Sequence, residues 1–418
     1  MTELEKIQER AILVAADTGE YDIEISLDEL EELANSAEVT VVGRASQKRE
    51  SPDPGSFLGK GRLEEIRDFG AANEVNLLIF DQELSTAQIR NIEEITDIRT
   101  IDRTMLILDI FGQRAKSSEG RLQVELAQQR YMLPRLMGMG KSLSRLGGGG
   151  GGAVGARRGA GETKLETDRR HIRRRISTLE EQLEELERRR GDVRKRRKKN
   201  SVQTVAIVGY TNVGKSTLLN ALTQSEVLAE DMLFATLDPT ARKLELPDGR
   251  NIVMVDTVGL IRRLPHHLVE AFKSTLEEAR DADLVLNVCD ASSPDAEEQA
   301  AVAADLLGQL QATSPVIVVL NKCDLVEDVT STMRGGVRIS AKTGVGFDAL
   351  LKEMQNHLPP TSRRMTLLVP YDQGALLSRI RENGKIFKET FEENGVMADA
   401  LVDVRLQKEA APYAVEQA

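Results

Sequence analysis

The sequence predicts an α/β fold whose largest part is a P-loop domain with a parallel-rich sheet. Short apolar runs typical of buried strands recur along the chain, many are followed by helical patterns, and one leads directly into a glycine-rich loop. Ahead of this domain we expect a small α/β domain and a two-helix antiparallel coiled coil. A small α/β domain is expected after it.

Length and composition limit the class of protein. A chain of 418 residues implies about three domains, because single cores rarely exceed about 250 residues. No apolar run approaches the roughly 20 residues that a membrane span needs, and the first residues do not start a signal peptide. Two cysteines, Cys289 and Cys323, are too few for a disulfide framework or a zinc site. We therefore expect a cytoplasmic protein, for which peripheral membrane association stays open.

Residues 1–116 alternate strand and helix signals, which predicts a small parallel sheet. The predicted strands are Ala11–Ala15, Val39–Gly43, Val75–Phe80 and Ile98–Ile101, and the predicted helices are Leu27–Ala34 with Ser26 as N-cap, Gly61–Asn73 and Ser85–Ile95. The segment Gly55–Gly61 suggests a second nucleotide site. It lacks the P-loop spacing and a preceding strand, so an ordered binding loop is the favoured interpretation.

Residues 117–200 are predicted to form a helical hairpin. A heptad seam runs through the second helix, and Gly120–Leu136 supplies the partner, with Pro134 disturbing its end. The seam residues are Ile172, Ile176, Leu179, Leu183, Leu186 and Val193. Residues 146–161 form a glycine-rich tip with six consecutive glycines and the arginines Arg157 and Arg158. The tip is either a spacer or a flexible segment that settles into an RNA crevice on binding.

Positive charge is concentrated in the second hairpin helix. The net charge of −11 argues against general nucleic-acid affinity, which includes DNA, but Arg157–Lys199 holds 17 Lys and Arg against 9 Asp and Glu. Local charge density governs phosphate contacts. A solvated helix face would explain the pattern in isolation; next to a nucleotide switch we favour RNA binding.

Residues 201–360 contain the phosphate-binding motif. The strand Val205–Val208 leads into a Gly-x4-Gly-Lys-Ser loop, and a helical stretch follows it. The loop residues are Gly209, Tyr210, Thr211, Asn212, Val213, Gly214, Lys215 and Ser216. The glycines allow successive N–H groups to point at one anion. Lys215 is expected to reach the β- and γ-phosphates, and the Ser216 hydroxyl to hold Mg²⁺.

Three later motifs, each at the predicted end of a strand, indicate that the base of the bound nucleotide is guanine. They are Asp256-Thr257-Val258-Gly259, Asn321-Lys322-Cys323-Asp324 and Ser340-Ala341-Lys342. A buried Asp324 carboxylate would accept both guanine N1 and N2 hydrogens, which adenine does not offer in that pattern. We expect Asp256 near Mg²⁺ and the Gly259 N–H near the γ-phosphate. The phrases together predict a guanine-nucleotide switch that binds GTP and GDP.

The first switch is predicted between the P-loop and Asp256. The residues there are Phe234, Ala235, Thr236, Leu237 and Asp238, with Pro239 and Thr240 behind them. Either Thr236 or Thr240 would supply the switch threonine, which is ordered by Mg²⁺ and the γ-phosphate. Farther on, Pro247–Arg250 is predicted to form a hairpin turn between two strands.

The residue at the position that usually orients the attacking water is unusual. Leu260 follows Gly259, at the place where Ras-like enzymes carry a glutamine that orients water. Leucine cannot polarise water, so intrinsic hydrolysis should be slow unless a partner completes the site. Asn212 resembles the loop asparagine of GTPases that recruit K⁺ beside the phosphates. His266 and His267 could act as bases, although adjacent histidines in a switch are more often surface or partner contacts.

Residues 361–418 form the predicted C-terminal domain. Thr366–Pro370 and Ala398–Val404 are expected to be strands, with a helix over Gln373–Glu382 between them. Pro359 and Pro360 mark the boundary with the nucleotide domain. No residue pattern in this segment indicates chemistry.

With these motifs, the chain resembles the HflX GTPases, relatives of Obg, over almost its whole length. The similarity is carried by Gly161–Arg170, by Asp256–His266, and by Ile101–Thr104 with Ile107–Phe111. The Ala-Thr-Leu-Asp-Pro phrase resembles the first switch of Obg-like proteins, which favours Thr236 over Thr240 as the catalytic and Mg²⁺-linked residue beside Lys215 and Gly259.

The resemblance implies a GTPase that binds the large ribosomal subunit and its RNA. We expect the chain to act as a monomer. It implies insertion of the helical domain near the peptidyl-transferase centre and splitting of stalled or idle ribosomes under stress. Leu260 stands where phenylalanine is more usual, and the six-glycine run departs from other members, which leaves the contacts of the tip open. Two alternatives remain: an Obg-type factor for assembly of the large subunit, and a regulatory switch acting on a protein partner.

Overall fold

The computed structural model describes most of the chain. The described residues are 8–146, 158–199, 202–223, 233–234, 240–263, 268, 273–326 and 335–415. The chain divides into two compact units. Unit 1 contains residues 1–187, 230–238 and 263–273, and unit 2 contains residues 188–229, 239–262 and 274–418.

Unit 1 begins with a four-stranded parallel sheet, as the sequence predicts. The elements are β1 (Arg10–Asp17), α1 (Ile23–Ser36), β2 (Thr40–Lys48), α2 (Lys60–Ala72), β3 (Leu77–Phe80), α3 (Thr86–Thr96), β4 (Arg99–Asp102) and α4 (Arg103–Arg114). The sheet order is β2-β1-β3-β4. All three pairings are parallel, and the inner strands β1 and β3 are buried on both faces because helices cover them.

The prediction that Ser26 caps the first helix is wrong. The helix α1 starts at Ile23, four residues earlier than predicted, and the Asp22 carboxylate accepts hydrogen bonds from the N–H groups of Glu24 and Ile25. An aspartate caps a helix as well as a serine does, so the earlier cap extends the helix. Ser26 is instead buried inside α1, where its hydroxyl donates to Asp81.

The Gly55–Gly61 segment forms an ordered loop. The Asp53 carboxylate accepts hydrogen bonds from the N–H groups of Gly55 and Ser56, and the Gln47 side chain accepts one from Gly59. These amides are therefore engaged within the protein. The loop is ordered, as the favoured interpretation expects, and what it binds stays a prediction.

Two long helices form the hairpin. The helix α5 (Ser118–Leu146) continues through Pro134, so the prediction that proline disturbs its end is wrong. A proline removes only one donor from the helix, and α5 has cross-helix support. The second helix is α6 (Arg158–Lys199), and its ion pairs with α5 are Arg130–Glu180 at 2.7 Å and Arg175–Glu125 at 2.6 Å.

The predicted seam is present over the side chains that the structure describes. Leu179 is fully buried, and Ile172, Ile176, Leu183 and Leu186 are half-buried. The side chain of Val193 and residues 147–157 of the predicted tip, including Arg157, lie outside the description. Because the two helices reach Leu146 and Arg158, the ends of the predicted 146–161 tip belong to them.

Unit 2 carries a six-stranded sheet with order β10-β9-β8-β5-β7-β6. Its elements are β5 (Gln203–Gly209), α7 (Lys215–Thr223), β6 (Thr240–Glu245), β7 (Asn251–Asp256), α8 (Lys273–Asp281), β8 (Leu284–Asp290), α9 (Ala296–Gln309), β9 (Val316–Asn321), β10 (Val337–Arg338) and α10 (Phe347–His357). The strand β6 pairs antiparallel with β7, and the other pairings are parallel. The predicted hairpin turn joins β6 to β7, with Gly249 at φ +86°.

The C-terminal part of unit 2 is a three-stranded antiparallel sheet with order β11-β13-β12. Its elements are β11 (Ser362–Val369), α11 (Gly374–Asn383), β12 (Lys385–Glu392), β13 (Gly395–Asp403) and α12 (Val404–Ala410). Strand β12 and helix α12 were not predicted. Strand β12 lies at the sheet edge and is exposed along most of its length, so it lacks the apolar alternation that identifies a half-buried strand.

Within the described part of the chain, no helix is both long enough and apolar enough to cross a membrane.

Candidate nucleotide-binding site

The P-loop occupies the turn between β5 and α7, in the strand–loop–helix order that the sequence predicts. Gly209 has φ +152° and Gly214 has φ +92°, conformations that residues with a side chain rarely adopt. A Cβ atom on Gly209 would lie 2.2 Å from the Val288 carbonyl oxygen, and one on Gly214 would lie 2.4 Å from Asn321 Nδ2. Both positions therefore require glycine, and the turn keeps its amides close together.

Lys215 is buried at the start of α7. Its Nζ donates to the Tyr210 carbonyl oxygen at 2.7 Å. Burial lowers the pKa of Lys215 to about 8, and the nearby Asp256 carboxylate acts in the opposite direction. A triphosphate bound here would favour the charged ammonium, because it adds negative charge next to a desolvated cation.

A hydroxyl and a carboxylate meet where a metal would be held. Ser216 Oγ donates to Asp256 Oδ2 at 2.6 Å, and Asp256 is completely buried at the end of β7. Next to it, the Thr257 hydroxyl donates to the Ile207 carbonyl oxygen at 2.7 Å and fixes the start of the second switch. Oxygen ligands of this kind suit Mg²⁺. The described residues contain no cluster of three or more His, Cys, Asp or Glu side chains that could hold a metal ion.

One asparagine side chain joins the phosphate loop to the base loop. Asn321, at the end of β9, is 2 % exposed; its Nδ2 donates to the Val213 carbonyl oxygen at 2.7 Å, and its Oδ1 accepts from the Ala341 N–H at 2.8 Å. The sequence placed Asn321 in the base-reading phrase without giving it this connecting role. These two hydrogen bonds explain why the P-loop, the 321–324 segment and the 340–342 segment lie together.

The base-reading residues follow Asn321. Lys322 has φ +61°, and its Nζ forms an ion pair with Asp290 at 2.7 Å. Asp324 was expected to be a buried carboxylate, but its side chain is exposed in the structure. A hydrogen bond from the Ser340 hydroxyl lowers the pKa of Asp324, and the charges of Lys342 and Lys322 act in the same direction. Asp324 therefore stays an acceptor-only group, as recognition of two guanine hydrogens requires.

The residues Ser340, Ala341 and Lys342 follow β10, where the sequence put the base-closing loop. Ser340 is completely buried, and its hydroxyl also accepts from the Thr343 N–H at 3.2 Å. Cys323 begins a short 3₁₀ turn next to this loop, and its N–H donates to the Ile339 carbonyl oxygen at 3.1 Å. The 321–324 and 340–342 segments thus form one continuous edge.

The second switch runs along the P-loop. The Thr211 N–H donates to the Leu260 carbonyl oxygen at 2.8 Å, and the Leu260 N–H donates to the Gly209 carbonyl oxygen at 3.1 Å. A Cβ atom on Gly259 would lie 2.6 Å from Thr211 Cγ2, so only glycine fits between the two segments. The Tyr210 hydroxyl accepts from the Arg262 N–H at 2.6 Å, a contact that the sequence did not indicate.

Two further site residues belong to the same surface. Val258 is buried in the second switch, and Asn212 adopts φ +60° in the P-loop. The Thr211 hydroxyl oxygen is buried and bonds to none of the residues that the structure describes, which suits a group that faces a ligand.

The predicted first switch is described only at its start. Phe234 is 2 % exposed and belongs to unit 1, where its ring packs edge-on against Phe111 with centroids 4.7 Å apart. Phe234 is therefore a packing residue in this arrangement. The predicted residues Ala235, Thr236, Leu237 and Asp238 lie outside the description, as do His266 and His267.

A phosphate-binding loop linked to an Asn-Lys-x-Asp loop, with a serine–aspartate pair beside the lysine, is the arrangement of P-loop GTPases. This chain is a GTP-hydrolysing protein of that class, and three family models match it in sequence. They are described as GTP-binding GTPase N-terminal over residues 24–112, GTP-binding GTPase middle region over 114–197, and 50S ribosome-binding GTPase over 204–322.

Similarity to whole relatives identifies the family. GTPase HflX of Caldanaerobacter subterraneus subsp. tengcongensis is 50% identical over 98% of this chain and 94% of the relative. GTPase HflX of Lacrimispora saccharolytica is 48% identical over 97% and 96%, and that of Escherichia coli is 42% identical over 93% and 92%. The chain belongs to the HflX family of GTPases, as its sequence motifs indicate.

Proposed function

We propose that this GTPase binds the large ribosomal subunit and splits stalled or idle ribosomes under stress. The observation that carries the proposal is the attachment of a long, strongly basic helical hairpin to a GTPase domain. The matching family model for residues 204–322 is described as a 50S ribosome-binding GTPase, which supports the same partner. We further propose that the chain acts as a monomer in the cytoplasm.

The hairpin supplies the RNA-binding surface in this proposal. Along α6, Arg170, Arg173 and Arg174 are exposed, while Arg175 is engaged with Glu125 of α5. A straight helix that carries exposed arginines can follow phosphates without reading bases, and Arg157 with Arg158 would extend this surface into the tip. Ribosomal RNA is therefore the proposed contact, and DNA is not.

The proposed chemistry is hydrolysis of GTP to GDP and phosphate. Ser216 and Thr236 would hold Mg²⁺, which supplies charge neutralisation for the phosphates when bound. Lys215 and the Gly259 N–H would stabilise charge on the γ-phosphate. Leu260 offers no group that orients water, so intrinsic hydrolysis is slow and the ribosome accelerates it. K⁺ recruited by Asn212 would supply part of the missing positive charge.

Sedimentation tests this function. Whole ribosomes mixed with the protein and GTP should separate into subunits, whereas ribosomes with GDP should not. Binding to precursors of the large subunit alone would support an Obg-type assembly factor instead. If the protein fails to sediment with any ribosomal particle, a regulatory switch acting on a protein partner replaces the proposal.

Two variants test the RNA surface separately from the nucleotide site. Joint replacement of Arg170, Arg173 and Arg174 by alanine should weaken binding to the large subunit and reduce its salt dependence, because phosphate contacts are lost. Replacement of Arg157 and Arg158 by alanine should act in the same direction. Neither change should alter GDP affinity. Loss of GDP affinity would mean that the basic surface has been misassigned.

Turnover measurements test the catalytic part. GTP hydrolysis should rise when large subunits are added, and it should be faster in K⁺ than in Na⁺. Equal rates in the two salts would reject the role of Asn212 in binding K⁺. Unchanged turnover with large subunits would reject ribosomal stimulation.

A further inference from the structure

The side chain of Tyr210 connects the P-loop to the second switch within unit 2. Tyr210 is 8% exposed, and its hydroxyl oxygen accepts a hydrogen bond from the Arg262 N–H at 2.6 Å. P-loops bind phosphate through backbone N–H groups and their lysine, so the tyrosine hydroxyl is not needed for that contact. Its hydrogen bond to the second switch therefore suggests a different role for this side chain.

Backbone hydrogen bonds continue the same connection. The Leu260 N–H donates to the Gly209 carbonyl oxygen at 3.1 Å, and the Leu260 carbonyl oxygen accepts from the Thr211 N–H at 2.8 Å. Tyr210 and Leu260 thus face each other in a parallel bridge. The Tyr210 hydroxyl adds a further hydrogen bond two residues farther along the second switch. Together these bonds hold residues 260–262 against the P-loop.

Arg262 is also held by the helix that follows β8. Its guanidinium forms ion pairs with Asp295 and Glu298 at the start of α9, both at 3.0 Å. The Arg262 side chain is 16% exposed, so water screens these pairs less than it screens pairs at an open surface. The side chain of Arg262 is therefore fixed by α9 while its backbone N–H is fixed by Tyr210.

This arrangement brings the second switch close to the phosphate-binding lysine. A Cβ atom on Gly259 would lie 3.1 Å from Lys215 Nζ, which itself donates to the Tyr210 carbonyl oxygen at 2.7 Å. A phosphate oxygen bound by an ammonium lies about 2.7–2.9 Å from the nitrogen. The Gly259 backbone already lies at the edge of that space, so we expect the second switch to move when a γ-phosphate enters. Binding of GDP, which has no γ-phosphate, does not require this movement.

We propose that Tyr210 is a positioning residue of the GTPase. Its hydroxyl stabilises the arrangement in which the second switch lies on the P-loop. Binding of GTP breaks the hydrogen bond between the hydroxyl and Arg262, and binding of GDP preserves it. The Tyr210 hydroxyl therefore lowers the affinity for GTP relative to GDP. It acts through the backbone of Arg262 and does not touch the nucleotide.

The replacement Tyr210→Phe tests the proposal, because phenylalanine keeps the ring and removes only the hydroxyl. The dissociation constants of GDP and of a non-hydrolysable GTP analogue are measured for the parent protein and the variant. The affinity for the analogue relative to GDP should rise by about 2- to 10-fold, which is the effect of one hydrogen bond on an equilibrium constant. The value of kcat/KM for GTP should rise by the same factor. A general loosening of the P-loop would instead lower kcat/KM and the affinity for both nucleotides.

Tyr371→Phe is the matched control in the same unit. Tyr371 belongs to the C-terminal part of unit 2, and its hydroxyl donates to the Glu392 carbonyl oxygen at 2.6 Å. This variant also removes one hydrogen bond between a tyrosine hydroxyl and the backbone, but at a place outside the nucleotide site. The control should leave the nucleotide preference unchanged. If Tyr210→Phe also leaves the preference unchanged, or moves it toward GDP, the proposal is overturned.

Hydrogen exchange at the Arg262 amide tests the same idea in the parent protein. With GDP bound, this amide should exchange about 2- to 10-fold more slowly than with the GTP analogue bound, because only GTP breaks its hydrogen bond. In Tyr210→Phe, the difference between the two nucleotides should largely disappear at this amide. Equal exchange in the parent protein with the two nucleotides would contradict the proposal, and this measurement decides the question even if the variant fails to fold.

Discussion

Replacement of Asn321 by alanine should disconnect the phosphate loop from the base loop. The Asn321 side chain is the group that bonds to Val213 and Ala341 at the same time, through its amide nitrogen and its amide oxygen. Alanine offers neither a donor nor an acceptor. The change leaves a buried carbonyl oxygen at Val213 and a buried N–H at Ala341, residues that are 1% and 5% exposed.

The cost can be estimated from these two groups. A buried polar group that loses its partner costs about 1–3 kcal/mol, so two such groups cost about 2–6 kcal/mol. Water that enters the space left by the amide would recover part of this, which makes about 2–4 kcal/mol the expected range. That free energy corresponds to roughly 30- to 700-fold in an equilibrium constant.

Hydrogen exchange measures the effect of the substitution at the Ala341 amide, and nucleotide affinity measures its effect on the whole binding site. The Ala341 amide should exchange at least about 30-fold faster in Asn321→Ala than in the parent protein. GDP affinity should fall by more than about tenfold, because binding must then order both loops.

Asn383→Ala is the control, because Asn383 is exposed and its Nδ2 donates to only one helix carbonyl, that of Arg379, at 2.9 Å. It should leave both measurements unchanged. If Asn321→Ala leaves the Ala341 amide protected and GDP affinity within about 2-fold, the bridge does not hold the site together.

Three further predictions concern the nucleotide. Since the pKa of Lys215 is about 8 without nucleotide and phosphates favour its charged form, GTP binding should take up a proton above that pH. The GTP dissociation constant should therefore be flat from pH 7 to 8 and rise by at most tenfold per pH unit up to pH 9; a flat profile throughout would contradict the role of the lysine charge. Asp324→Asn should lower GTP affinity by at least about 100-fold and improve binding of xanthosine triphosphate, measured by competition; parental discrimination would refute the guanine contact. Gly214→Ala should abolish GDP binding because its Cβ would lie 2.4 Å from Asn321 Nδ2, whereas Gly308→Ala, with nothing within 4 Å, should bind normally; equal binding by the two variants would show that the close contact is not needed.

Local sequence determined much of the fold. The parallel order of the first sheet follows from strand and helix patterns that depend on neighbouring residues, and the structure confirms it. The ends of elements were less predictable. Asp22 and Ser26 are both residue types that cap helices well. Only the structure shows that Asp22 caps α1, because the Ser26 hydroxyl is used in a hydrogen bond to Asp81. The exposed strand β12 carries no periodic signal and is recognised only by its pairing with β13.

The nucleotide chemistry could be predicted from the sequence because each motif that carries it consists of a few consecutive residues. The glycines at 209 and 214, the Lys215–Ser216 pair and the phrase ending at Asp324 specify a guanine-nucleotide site without knowledge of distant contacts. What the sequence did not reveal is that Asp324 is exposed in the structure. Burial depends on what packs on a residue, and the motif does not contain that information.

Only the tertiary structure decided where Arg263 goes. It lies 182 positions from Asp81 along the chain, and nothing in either local sequence relates the two residues. Ion pairs between distant residues depend on how sheets and loops are arranged, which no local pattern encodes. The sequence by itself thus determined that the protein binds and hydrolyses GTP, because that chemistry is local. The fold determined that Arg263 pairs with a buried carboxylate of the N-terminal sheet domain, because only folding brings those side chains together.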